Sequence, residues 1–120
     1  MIARRVIWVP SHDGVQRLDC ALIDKVLAEG DYMQVYSGDQ RWLVHTTMKA
    51  LSAKLDPDDF IQLHRSVLVR RDFVERLLHK VNHWIARFDD GSEHQIAKSH
   101  VVAALKAIQD APVEAEPVFA

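Results

Sequence analysis

The sequence predicts a mostly β, β-rich α+β domain: short antiparallel sheets in a sandwich- or roll-like arrangement, with one or two short helices. Three observations lead there. Runs of four to eight residues with apolar side chains at every second position recur along the chain, each closed by a Gly, Asp, Asn or Pro turn. Only two segments carry the three-to-four spacing of an amphipathic helix. With 120 residues, 48% apolar and 27% charged, the chain has the composition of one globular domain, not that of a disordered chain, collagen or coiled coil.

In order, Val6 and Trp8, with Ile2 and Arg4, alternate in a first strand that Pro10 is expected to end, since proline has no N–H for a ladder. Asp13-Gly14 marks a turn, and Val15 to Leu18 reads as the return strand. Asp19 is placed to cap one helical turn through Ala21-Leu22. Between Lys25 and Thr46 lies the clearest strand series, KVLAE, DYMQVY and RWLVHT, broken at Gly30-Asp31 and Ser37-Gly38-Asp39 into an antiparallel meander. Tyr32, Gln34 and Tyr36 share one face of it and Met33 and Val35 the other.

Thr46 or Thr47 can cap a helix carrying Met48, Leu51 and Leu55, about two to three turns long, which Asp56-Pro57-Asp58 stops. Extended chain returns at FIQLH and VLV. A charged corner, Arg70-Arg71-Asp72, then leads into FVERLLHKV, an Asn82-His83 turn, WIARF, the hairpin signal Asp89-Asp90-Gly91 and EHQIA. Ser99 reads as the N-cap of a last helix with Val101, Val102, Leu105 and Ile108 on its apolar face. The expected domain spans residues 1–109, followed by a mobile acidic tail, 110–120.

The longest apolar runs are a few residues, far below the roughly 20 of a membrane span, and MIARRVIWVPSHDG lacks the apolar block of a secretion signal. Cys20 is the only cysteine, so no internal disulfide or cysteine-built zinc site is available, in keeping with a cytoplasmic protein. The net charge of −2 is unevenly spread. Residues 1–60 hold seven Lys and Arg against nine Asp and Glu, residues 61–106 eight against five, and residues 107–120 none against three. Positive charge is therefore concentrated in the second half, which permits binding to a polyanion without requiring it.

Seven histidines raise a metal reading, with His79 and His83 four apart, but no established zinc spacing is present and exposed histidines beside a turn explain them as well. Ser66 with His64, or Ser99 with His100, do not make a nucleophile and its base: the first two are separated by Arg65 around a turn and the second two are neighbours. No nucleophile elbow, Gly-rich phosphate loop or paired-carboxylate signature occurs, so neither an enzyme nor a cofactor or metal site is expected. The conspicuous unit is His64-Arg65-Ser66, a polar triplet between two apolar strand halves. Arg65 offers a planar donor fork suited to phosphate or to the acceptor edge of guanine, and Ser66 can donate to phosphate. His64 either caps the turn or contacts a partner. Lys98-Ser99-His100, before the last helix, is a second polar cluster, either a phosphate or base contact set or simply a helix cap with exposed basic groups.

AEGDYMQVYSGDQRWLVHTTMKALSAKL (28–55), FIQLHRSVLV (60–69) and FDDGSEHQIAKSHV (88–101), in that order and spacing, resemble the LytTR-type DNA-binding domain, the output domain of many bacterial response regulators. The resemblance covers residues 15–108. It implies a β-rich fold that meets DNA through loops, in major grooves and along the backbone between them, and it places Asp31 and Tyr32, then His64, Arg65 and Ser66, then Lys98, Ser99 and His100 at the DNA. One departure is clear. Where this family's last helix usually starts with Ser-Arg, the chain has Ser99-His100, so the guanidinium fork is replaced by an imidazole.

Two functions follow as expectations. The first is sequence-specific binding of double-stranded DNA in bacterial transcriptional regulation, with two copies on tandem half-sites and control by a receiver domain or a separate regulatory protein. The alternative is a protein-interaction module docking a partner through a strand edge or through Trp42, Trp84 and Tyr36. Trp8, Trp42 and Trp84 are otherwise expected as core anchors. No membrane partner is expected.

Overall fold

The computed structural model describes residues 5–110. Ten strands, β1 (Val6–Ser11), β2 (Gly14–Asp19), β3 (Lys25–Glu29), β4 (Tyr32–Ser37), β5 (Gln40–His45), β6 (Phe60–His64), β7 (Val67–Arg70), β8 (Val74–Lys80), β9 (His83–Phe88) and β10 (Glu93–Ile96), accompany two helices, α1 (Met48–Ser52) and α2 (Val101–Gln109). All strand pairs are antiparallel, in a β1-β2 hairpin, a five-stranded sheet of order β5-β4-β3-β7-β6, and a three-stranded sheet of order β10-β9-β8. The expected β-rich class is what the chain adopts.

The five-stranded sheet is the middle layer. Val26, Met33, Val35 and Leu68 point to one face and pack with Ile7, Val9 and Leu18 of the β1-β2 hairpin and with Leu51 beneath α1. Ile61, Leu63 and Val69 point to the other and pack with Ala86, Phe88 and Ile96 of the three-stranded sheet and Ala104 of α2. This is the period-two alternation at work: neighbouring residues of β6 and of β7 enter different cores. The turns are built for the strands they join. Gly30 and Gly38 hold φ of 59° and 57° at the first positions of two two-residue turns, where a positive φ matches the twist of the flanking strands.

One end of the middle sheet is tied down twice, at the neighbouring residues Asp24 and Lys25 where β3 starts. Away from the β3-β4 turn, Asp24 takes a hydrogen bond from Arg70 Nη2 at 2.5 Å and another from the Gly38 N–H at 2.9 Å, while Arg70 Nε donates to the Ile23 carbonyl at 3.2 Å. Between the two larger sheets, Lys25 Nζ reaches Asp90 Oδ2 at 2.5 Å and Ser92 Oγ at 3.3 Å. Asp90 has its carboxyl held down to about 2: burial acts to raise it, but the hydrogen bonds from Lys25 and Ser92 prevail.

Several expectations are corrected. Pro10 does not end β1; it lies inside the strand opposite Val15. In a two-residue hairpin closed by the Ser11–Gly14 pair, the next pair exchanges no hydrogen bonds, so the proline nitrogen points away from β2 and loses nothing. Asp19 does cap the turn after β2, accepting from the Ala21 N–H at 3.1 Å, and Thr47 caps α1 through the Ala50 N–H at 3.0 Å. Yet α1 has only five residues. Its exit tightens through Lys54 N–H to Leu51 and Leu55 N–H to Ser52, which still delivers Leu55 to the core.

The β8-β9 turn is Val81-Asn82, one residue earlier than expected, so His79 and His83 lie on different strands and opposite faces of the hairpin. Val102 is 81% exposed; Val101, Ala104, Ala107 and Ile108 form the packed side of α2. Trp8 is 60% exposed, because β1 covers its core with Ile7 and Val9 instead, whereas Trp42 and Trp84 pack against the two cores. Ile2, Arg4 and the tail from 111 onward lie outside the described residues. Among the described residues, no helix is long and apolar enough to cross a membrane.

Candidate nucleic-acid interface

Strand direction brings three distant segments to one end of the middle sheet. The β3-β4 turn, Gly30-Asp31, lies beyond the end of β3. Because β7 runs antiparallel to β3, with Leu27 opposite Val67, the His64-Arg65-Ser66 turn emerges at the same end. The Ala28 N–H donates to the Ser66 carbonyl at 2.9 Å and joins these two segments. The third is joined on the other side: the Ala97 N–H donates to the Leu63 carbonyl at 2.9 Å, setting Lys98–His100 beside the start of the same turn. The order across this end is therefore 31–32, 64–66, 98–100.

Within the row the side chains differ in freedom. Asp31 and Arg65 are exposed at their turns, and Tyr32 is 47% exposed with its ring 5.1 Å from that of His45. His64 is half-buried and its Nδ1 accepts the Ser66 N–H at 3.2 Å, so of the two roles open to it, capping the turn is realised. That bond shapes the turn which thrusts Arg65 outward. Ser66 is half-buried. Lys98 and Ser99 are exposed, and Ser99 Oγ lies 3.0 Å from His100 Nδ1.

Ser99 is not the helix cap that the sequence suggests. Lys98–His100 form a 3-10 turn before α2, without a side-chain cap, and this leaves the Ser99 hydroxyl on the surface with the His100 ring. The sequence reading also missed the corner between β5 and α1. His45, Thr46 and Thr47 face Arg65 and Ser66 across a cleft of about 440 Å³. Their signal was the hairpin register: counting outward from the Gly38-Asp39 turn pairs Tyr32 with His45.

The described residues include no group of three or more His, Cys, Asp and Glu side chains disposed to hold a metal. What the end of the sheet offers instead is a row of donors, with Arg65 and Lys98 as its exposed cations and Asp31 as an exposed acceptor. Such a row suits an extended polyanion with base edges between its phosphates.

The structure is similar to the LytTr DNA-binding domain of a Bacillus cereus protein described as a methyl-accepting/DNA response regulator. The TM-score is 0.76 at 15% sequence identity, covering 90% of this chain and 99% of that one, a likeness of fold. Comparison with curated protein sequences gives no match. The family model of the LytTr DNA-binding domain matches residues 13–109, which takes in the meander, the His-Arg-Ser turn and the start of the last helix, and the chain thus belongs to the LytTR family of DNA-binding domains.

Proposed function

We propose that the chain binds double-stranded DNA sequence-specifically in bacterial transcriptional regulation, in the cytoplasm, through the 31–32, 64–66 and 98–100 segments. The observation that carries this reading is the pair of backbone hydrogen bonds, Ala28 to Ser66 and Ala97 to Leu63, that set the three segments side by side. Arg65 is the base reader in a major groove, its fork matched to guanine O6 and N7. Asp31 is suited to a cytosine amino group, and Tyr32 to apolar contact beside it. Lys98, Ser99 and Ser66 serve phosphates, and His100 takes the place of the family's arginine with a single ring donor. His64 contributes by holding Arg65 outward.

So few base-reading side chains give one copy modest affinity, so two copies on tandem half-sites are the effective unit, paired on the DNA or through a receiver domain or separate regulatory protein. The test is a fluorescence titration of wild-type protein with random duplex, and with duplex selected from a random pool, over a range of salt. Affinity falling with log salt, and a selected pool enriched in a direct repeat, are expected. No salt-sensitive binding at high micromolar protein defeats the reading and leaves the protein-interaction alternative.

A further inference from the structure

The cleft beside Arg65 is a part of the same end of the sheet that the three segments leave unexplained, and the inference drawn from it rests on the DNA-binding reading. One wall is Arg65 and Ser66; the facing wall is His45, Thr46 and Thr47; Met33 and Met48 contribute to the lining between them. The facing wall is rigidly placed. His45 is fixed by its strand pairing with Tyr32 and by the ring contact at 5.1 Å. Thr47 is fixed by accepting the Ala50 N–H, which uses a lone pair of its oxygen and leaves the hydroxyl proton available.

We infer that this cleft seats a backbone phosphate of the DNA, and that His45 and Thr46 form a fourth DNA-contacting segment, sequence-independent in its chemistry. The lining offers an imidazole and three hydroxyls, all able to donate, with the positive charge of Arg65 at its edge, against one carboxylate, Asp31. A phosphate seated there takes its hydrogen bonds from His45 and Thr46 and leaves the Arg65 fork to the base. Hydroxyls and a single imidazole N–H do not distinguish bases as a two-pronged donor does, but they suit the oxygens of a phosphate. The volume, about 440 Å³, admits a phosphate with part of its sugar. Exposed Lys49, just beyond Met48 in α1, adds a positive charge nearby.

Three variants test this: His45→Ala, Thr46→Val, which keeps the shape and removes the hydroxyl, and His45→Gln, which keeps an N–H donor. Each is titrated at fixed salt with both a selected and a random duplex, and thermal unfolding confirms that it folds. His45→Ala and Thr46→Val should each weaken binding about 3- to 10-fold, by the same factor for both duplexes, and His45→Gln should recover most of the loss. Wild-type affinity in both loss variants overturns the inference, as does a loss confined to the selected duplex, which would make the segment a base reader. Wild-type protein that binds neither duplex overturns the DNA-binding reading itself, a result distinct from both.

Discussion

Lys25 and Asp90, 65 residues apart, meet at 2.5 Å where the five-stranded and three-stranded sheets join, with the ammonium also 4.6 Å from the centre of the Tyr36 ring. The partners are unequally placed: the Lys25 side chain is 8% exposed and that of Asp90 37%. Removing the lysine frees a carboxylate that water can reach, whereas removing the carboxylate strands a buried cation. Asp90→Ala should therefore destabilise more than Lys25→Met, by about 3 kcal/mol against about 1 kcal/mol, in urea unfolding. The opposite ranking would show that the pair does not hold the sheets together in this way.

His94 gives acid sensitivity to the same junction. Its ring stacks on Phe88 at 4.8 Å with Nε2 buried and unpartnered, and burial, then the charge of Lys25, lower its pKa below 6.5 against an upward pull from Asp90. A lowered folded value means that the neutral ring stabilises the fold fully above about pH 6.5, and that this contribution is lost as pH falls through the lowered value. Between pH 7 and pH 5 the wild type should lose more Tm than His94→Phe does. Parallel Tm profiles for the two proteins would remove His94 as the source.

Arg65 and Lys98 are expected to fail in different ways. Arg65→Ala should cost about 1–3 kcal/mol on the selected duplex and relax discrimination against a base change, while Lys98→Ala should weaken all duplexes alike and reduce the salt slope by about 1. Titrations at several salt concentrations separate the two. If both variants give the same uniform loss, Arg65 is a phosphate contact and not a reader.

Val81 holds φ of 53° at the tip of the β8-β9 hairpin while 94% exposed, a β-branched residue in a conformation that asparagine tolerates far better. Val81→Asn removes strain and an exposed apolar group without touching a core. It should stabilise the protein by about 1 kcal/mol in urea unfolding. A destabilised variant would mean that the valine makes a contact which offsets its strain.

The strands and turns were legible because their signals are local: alternation in KVLAE and DYMQVY, and glycine at positions 30 and 38 where the backbone requires positive φ. Helix length was less legible, since Leu55 keeps helical spacing from Leu51 even though the intervening chain tightens into turns. Trp8 and Val102 misled for one reason. Apolar character says that a side chain can be buried, while the facing layer decides whether it is, and among the described residues no layer covers these two. Arg65 and Lys98 stood out in the polar clusters 64–66 and 98–100, while Asp31 came only with the family resemblance. His45 did neither, because its place depends on register with Tyr32 and on a turn some twenty residues further along the chain.

The β6-β7 hairpin has one more consequence. Phe60 and Leu68 belong to one core and Ile61, Leu63 and Val69 to the other, so neither half of the molecule can loosen while this hairpin keeps both sets of neighbours. Its central amides should exchange with solvent deuterium only when the whole chain opens, and the arginine at its tip is borne by the slowest-yielding piece of the protein. Whatever that arginine touches is met from a backbone whose position is set before contact.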